Sequence, residues 1–319
     1  MVYHDPIITM YIVILSLETI YGVSTNAVII LFLSYYYARG LDRRVSNIII
    51  LALSISNVLY ACVSYVNILL LYFNPLVFLK TLITPAVYVF ATFMITSSSW
   101  LTACLCFFYF MKIQTFRSGF LSWIKMKVNI AIPWMILMAE LISVVSASLN
   151  ILEFLEHNES SKNISLVQLA KMKAKSNGIF SNNLYISFVS SCFPFLISVV
   201  TTAATVCSLN RHRKKMKKNQ TKSSVNVKAY ENTVRNMIRL LVFYGMFYVT
   251  LFLFYFNLFV TYTTGFWVFL IIISLYAPVQ STLLIFSNTK LKKAWMKVFY
   301  WKVMSTKEEE SRNISSPEN

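Results

Sequence analysis

Seven long apolar stretches, at roughly 8–38, 46–73, 82–111, 128–151, 183–209, 237–262 and 265–287, take up most of this chain, and the basic residues fall in alternating gaps between them. Each stretch reaches the roughly 20 residues that carry a helix across a bilayer. The fold class this dictates is an all-α membrane protein, a bundle of seven transmembrane helices. A chain that is 57% hydrophobic holds more apolar surface than one soluble core conceals. Helices should do the spanning, because buried backbone groups must bond within their own segment and no ten-residue alternation suggests a barrel.

The gaps decide the orientation. Of 29 Lys and Arg residues, 24 follow the first, third, fifth and seventh stretches, with Arg235 and Arg239 at the foot of the sixth included, and the other gaps hold Lys80, Lys162, Lys171, Lys173 and Lys175. The richer side is cytoplasmic by the positive-inside rule, so the N-terminus is outside and the C-terminus inside. The same topology, together with anionic membrane lipids as partners, accounts for the net charge of +17 without nucleic acid. No cleavable signal peptide is apparent, and the first stretch is expected to act as its own insertion signal.

A seven-span domain over 1–288 is predicted, with an outer loop at 151–182, an inner loop at 210–236, and a cytoplasmic helix and tail over 289–319. In that tail Leu291, Ala294, Trp295, Val298 and Phe299 recur at three- and four-residue steps among lysines, the pattern of an amphipathic helix on the inner leaflet. The outer loop carries two glycosylation acceptors, Asn158 in Asn-Glu-Ser and Asn163 in Asn-Ile-Ser. All five cysteines lie inside predicted helices, which leaves none for a bridge in an outer loop. Pro133, Pro194 and Pro278 are expected to kink the fourth, fifth and seventh helices.

Residue chemistry argues against catalysis. The only histidines, His4, His157 and His212, are not paired for a metal, and the six glycines form no GxSxG or phosphate-cradling loop, so neither enzyme activity nor a cofactor is expected. A Schiff-base lysine is missing from 265–287, and a carboxylate that would meet a charged amine is missing from 82–111. A ligand would be met by apolar and hydrogen-bonding groups. Two acids do lie within the membrane, Glu18 and Glu140. Glu18, Gly22 and Asn26, four residues apart, share one face of the first helix. A transporter is the rival class that intramembrane carboxylates suggest, but seven spans do not split into two inverted halves and no internal repeat is present.

The run Trp100-Leu-Thr-Ala-Cys-Leu-Cys-Phe-Phe-Tyr-Phe-Met-Lys-Ile113, then Phe116 and Trp123-Ile-Lys-Met-Lys127, resembles the third-helix signature of the type 2 (bitter) taste receptors. Three further segments agree in order and spacing: Glu18, Gly22 and Asn26 in the first helix; Pro194-Phe195 with Ser208-Leu209, His212 and Met216 in the fifth; and Leu284-Ile285, Asn288 and Lys290-Leu291-Lys292 at the end of the seventh. The resemblance implies a multi-pass G-protein-coupled receptor of the plasma membrane that senses bitter small molecules and signals through a heterotrimeric G protein of the gustducin or Gi type. Homo- or hetero-oligomers are left open. A vomeronasal-type pheromone receptor shares the overall plan and is the alternative.

Carried onto this chain, the resemblance places agonist contacts at Tyr88, Ala91, Thr92, Ile95, Phe247, Tyr248 and Leu270, between the outer parts of the third, fifth, sixth and seventh helices. It places an activation switch and polar network at Glu18, Asn26, Asn57, Tyr244, Gln280 and Ser281, and the G-protein cleft at Tyr109, Lys112, His212, Lys215 and Met216. Departures from the family pattern bear on this. Asn57 stands where an arginine is usual, Ala91 and Ile95 where Trp and Asn often meet agonists, Leu270 at an acidic or polar position, and Gln280-Ser281 in place of His-Ser. The pocket is expected to be roomier and more apolar as a result.

Overall fold

A computed structural model describes residues 6–40, 44–73, 83–114, 119–160, 181–218, 224–255, 264–288 and 290–297, and every element among them is helical. Seven spans follow one another: Pro6–Ala38, Val45–Phe73, Ile83–Ile113, Val128–Ser160, Ser181–Lys218, Ser224–Tyr255, and a seventh made of Thr264–Ser274 and Tyr276–Ser287. Five of them, the first four and the seventh, are long and apolar enough over described residues to cross a membrane. The apolar part of the fifth, Cys192–Ser208, is shorter. The sixth carries Arg235 and Arg239 toward its inner end. The chain is an all-α, seven-span membrane bundle.

Several helices run beyond their apolar stretches, the fourth to Ser160 and the fifth to Lys218. Hydropathy marks only the part of a helix that lipid surrounds, and a charged extension continues the same hydrogen-bond ladder into water. The helical segments run on through Pro133 and Pro194. The seventh span is interrupted at Leu275, three residues before Pro278. A proline has no N–H to give to the carbonyl four residues back, so Ser274 lies where the ladder is weakened. The first span closes on Gly40 at φ 67, a left-handed turn that suits glycine, with its N–H bonded to the Tyr37 carbonyl at 3.0 Å.

Large apolar side chains divide by azimuth. On the fourth span Trp134, Leu137, Met138, Leu141, Val144 and Val145 are exposed, the face that meets lipid. Inside, three clusters are stacked along the bundle. An inner one joins Ile29, Leu33, Ile49, Leu53, Leu105, Phe108 and Leu284, and Leu291 and Trp295 of the helix after the seventh span pack onto it. A middle one is aromatic, with Tyr60, Tyr244, Phe247, Tyr248 and Tyr276. An outer one gathers Tyr11, Leu15, Ile68 and Trp267. All five cysteines are free thiols.

The first and seventh spans pack closely at Gly22. A Cβ added there would lie 3.1 Å from the Pro278 ring, so glycine is what lets the helices close. Asn26, one turn further in, donates its amide to the Gly22 carbonyl at 2.8 Å and to the Ala277 carbonyl at 3.4 Å, and Thr25 meets Ser281 at 2.6 Å. In lipid there is no water to satisfy such groups, so each finds a partner across the interface.

Candidate functional site

The third span carries three consecutive serines, Ser97, Ser98 and Ser99, and helical geometry aims each about 100° from the next. Ser98 points to the centre of the bundle. Its Oγ lies 3.1 Å from Asn57 Oδ1 on the second span, 2.9 Å from the Tyr276 hydroxyl and 3.3 Å from Gln280 Oε1 on the seventh. One turn further in, Thr102 meets the Tyr244 hydroxyl of the sixth span at 2.6 Å. Gln280 closes the circuit, donating its amide to Thr102 at 3.0 Å and to Tyr244 at 2.5 Å. The Tyr244 and Tyr276 hydroxyls are 2.7 Å apart. Asn57 reaches back to Asn26 Oδ1 of the first span at 3.5 Å. Five spans thus share one hub of neutral groups, and Asn26, Asn57, Gln280 and Ser281 are all fully buried.

The aromatic cluster sits directly on this hub and shares two of its residues. Tyr276, fully buried, turns its ring to Phe247 with centroids 4.4 Å apart and stands edge-on to Tyr60 at 6.1 Å. Tyr248 packs against Phe195 of the fifth span at 4.8 Å. Ala91 and Ile95 of the third span line the same cluster, four residues apart on one face. Rings of this kind offer large, rigid contact area at little entropic cost. The group of Ala91, Ile95, Phe247 and Tyr248 is therefore brought together, with Thr92 buried beside it on the third span. Leu270 packs elsewhere, against Tyr11, Leu15, Ile68 and Trp267 in the outer cluster. The side chain of Tyr88 lies outside the described residues.

The two intramembrane acids are held singly. Glu18 accepts a hydrogen bond from Ser274 at the interruption of the seventh span. Glu140 accepts one from Ser97 at 2.8 Å. Glu18 lies on the seventh-span side of the first helix, and its partner among the described residues is a hydroxyl, not a cation.

At the inner end, Tyr109 packs on the inner apolar cluster, and Lys112 lies over the Phe108 ring at 5.2 Å. A short helix, Phe120–Met126, follows Gly119 at φ 99, and Lys125 donates to the Gln114 carbonyl at 2.6 Å. The side chains of His212, Lys215 and Met216, like those of Asn158 and Asn163, lie outside the described residues.

Ser98, Thr102 and Tyr276 are hub members that reading of the sequence passed over. Ser98 and Thr102 lie four residues apart on one face, but Thr92, Thr96, Ser97 and Ser99 put hydroxyls on the neighbouring faces too, so the pattern alone does not single out the hub.

The family model of the taste receptor protein (TAS2R) matches residues 4–303. Taste receptor type 2 member 8 of Pongo pygmaeus is 24% identical over 296 residues, covering 91% of this chain and 95% of the relative. Taste receptor type 2 member 2 of Homo sapiens is 24% identical over 298 residues, with the same coverage. Taste receptor type 2 member 40 of Gallus gallus is 24% identical over 302 residues, covering 91% of this chain and 94% of the relative. Among solved structures, squid rhodopsin shares the fold with a TM-score of 0.62 at 13% identity, over 97% of this chain and 91% of that one. The family match over nearly the whole chain sets aside the pheromone-type and transporter alternatives. With its seven helices the chain is a multi-pass protein of the plasma membrane, and it belongs to the taste receptor (TAS2R) family.

Proposed function

We propose that this receptor detects neutral, largely apolar bitter molecules and relays their binding to a heterotrimeric G protein of the gustducin or Gi type. The observation that carries the reading is the shared position of Tyr276 and Tyr244, whose rings belong to the aromatic cluster while their hydroxyls belong to the hub. An agonist entering from outside would rest on Ala91, Thr92, Ile95, Phe247 and Tyr248, with Tyr88 and Leu270 toward the mouth. No carboxylate or basic side chain stands among the described residues of the aromatic cluster, so apolar area and a few hydroxyls are what it offers a ligand.

Displacing the Phe247 or Tyr276 ring would shift the hydroxyls beneath, and the hub joins the third, sixth and seventh spans whose inner ends frame the coupling face. Agonist binding then favours an opened cytoplasmic side by the difference in affinity between the two arrangements. Tyr109, Lys112, His212, Lys215 and Met216 would meet the G protein there, and Asn158 and Asn163 would carry sugar outside. The test is intracellular calcium in cells expressing the chain with a gustducin-chimeric G protein, against a diverse bitter panel. A dose-dependent response that Ala91→Trp abolishes by filling the cluster supports the reading. A response from every agonist unchanged in Ala91→Trp places the ligand elsewhere.

A further inference from the structure

The fourth span has two unlike sides, and the short helix before it carries both of them on. On the bundle side Ile132 and Ala139 are buried, and Val128 and Met135 pack on the inner cluster. On the opposite side Ile130, Trp134, Leu137 and Leu141 are exposed, the face that meets lipid. Counting back from Ile130 at the same steps of three and four leads to Met126 and Trp123, which are 79% and 52% exposed. The hydrogen-bond ladder is carried across the junction. The Lys127 N–H bonds the Trp123 carbonyl at 3.3 Å, and the Lys127 carbonyl accepts the Ala131 N–H at 2.9 Å. Lys125 lies about 200° round the helix from Trp123, and it donates to the Gln114 carbonyl just past the third span at 2.6 Å. One side of the Phe120–Met126 helix is thus tied to the bundle, and an indole and a thioether stand on the side that the fourth span gives to lipid.

We propose that Trp123 and Met126 form a membrane-anchoring surface whose partner is the headgroup layer of the cytoplasmic leaflet. Position along the axis agrees with azimuth. Trp123 lies roughly 8 Å from Val128, where the apolar stretch begins, a distance that stays within the interfacial layer flanking the hydrocarbon core. The side chains are those such a layer takes. An indole offers an apolar body and one N–H to a boundary that is half wet, and the Lys127 ammonium lies 4.7 Å from its ring, where the charge reaches headgroups and water. A G protein is the other partner that an exposed tryptophan in a cytoplasmic segment suggests. The proposed coupling residues Tyr109 and Lys112 belong to the third span, to whose end Lys125 is tied, whereas Trp123 and Met126 continue the outward face of Trp134. Anchoring on that face steadies the segment between the third and fourth spans and leaves the coupling side open.

The test is fluorescence quenching. The full-length receptor is placed in nanodiscs of phosphatidylcholine brominated near the ester end or near the methyl end of its acyl chains, and the Trp123 emission is the difference between the parent and Trp123→Phe. Bromine near the ester end should quench that emission at least about twofold more than bromine near the methyl end, the order expected of a ring at headgroup level. Aqueous acrylamide should quench it about twofold less than it quenches free tryptophan. Should Trp123→Phe fail to fold, Met126→Trp reads the same face by the emission it adds. Quenching by acrylamide without quenching by either brominated lipid puts the helix in water and overturns the proposal. Stronger quenching from the methyl end overturns the assignment to the headgroup layer. Shielding from acrylamide that appears only when purified G protein is added gives the surface to that partner and overturns the proposal as well.

Discussion

Ser97 and Ser98 are neighbours on one helix, yet they belong to regions that use polarity in opposite ways. Ser98 enters a hub where Asn57, Thr102, Tyr244, Tyr276 and Gln280 share partners across the second, third, sixth and seventh spans. Ser97, a rotation of about 100° away, makes a single bond to Glu140 at the edge of the lipid-facing fourth span. By residue type, the carboxylate looks like the more consequential group, since an ionisable side chain in a membrane is the costlier one. By connectivity, the neutral hub is. Removing one member of the hub leaves several buried partners unsatisfied on different helices, whereas the pair at Glu140 is local.

The largest expected effect follows from Gln280. Gln280→Ala deletes the amide that bonds Thr102 and Tyr244 and opens a cavity at a fully buried site. It should lower stability by about 3 kcal/mol, the combined scale of a truncated core side chain and orphaned polar groups. Thermal unfolding of the purified receptor would read it as a large drop in midpoint and in surface expression. A change indistinguishable from that of an exposed lipid-facing substitution would remove the distinction between the two regions.

A double-mutant cycle sharpens the same comparison. Ser98→Ala combined with Gln280→Ala should show a coupling of about 1 kcal/mol, because the two side chains touch, while Ser97→Ala with Gln280→Ala should be additive within about 0.5 kcal/mol. Equal coupling in both cycles would mean that Ser97 is joined to the hub by a route other than direct contact. The smallest effect is assigned to Glu140→Gln. An amide oxygen accepts the Ser97 hydroxyl as a carboxylate does, so the stability change should stay below about 1 kcal/mol and the agonist response should persist at matched surface expression.

These expectations also mark what the sequence discloses. Seven apolar stretches and the lysine and arginine asymmetry suffice for the bundle and its orientation, because lipid imposes a length and a charge rule that composition alone obeys. Asn26 was legible from its four-residue spacing with Gly22 and Glu18, while Asn57, Tyr244, Gln280 and Ser281 followed from the family resemblance. Azimuth was not legible. Uniformly apolar spans carry little periodic signal, so nothing in Ser97-Ser98-Ser99 distinguishes the serine that faces the hub from the one that faces Glu140. Tyr276 was passed over because a tyrosine in an aromatic-rich chain reads as packing, and its second role appears only when its hydroxyl is seen between Ser98 and Tyr244. Leu270 was placed with Ala91 by alignment, while its turn of the seventh helix packs with Trp267 in the outer cluster. The helical extension to Ser160 escaped hydropathy because it is not apolar, whereas the basic run Arg211 to Lys218 reads as a continuation of the fifth helix and is one.

The account's central claim is that ligand contact in the aromatic cluster reaches the hub through Tyr276. The most direct measurement is Tyr276→Phe, which keeps the ring against Phe247 and deletes only the hydroxyl, assayed for agonist binding and for G-protein activation at matched surface expression. The account predicts binding within about twofold of the parent and a signalling response reduced about fivefold or more, the loss of coupling between two sites of an otherwise intact receptor. Binding and activation both unchanged would contradict it, and would show that the aromatic cluster and the hub are adjacent without being coupled.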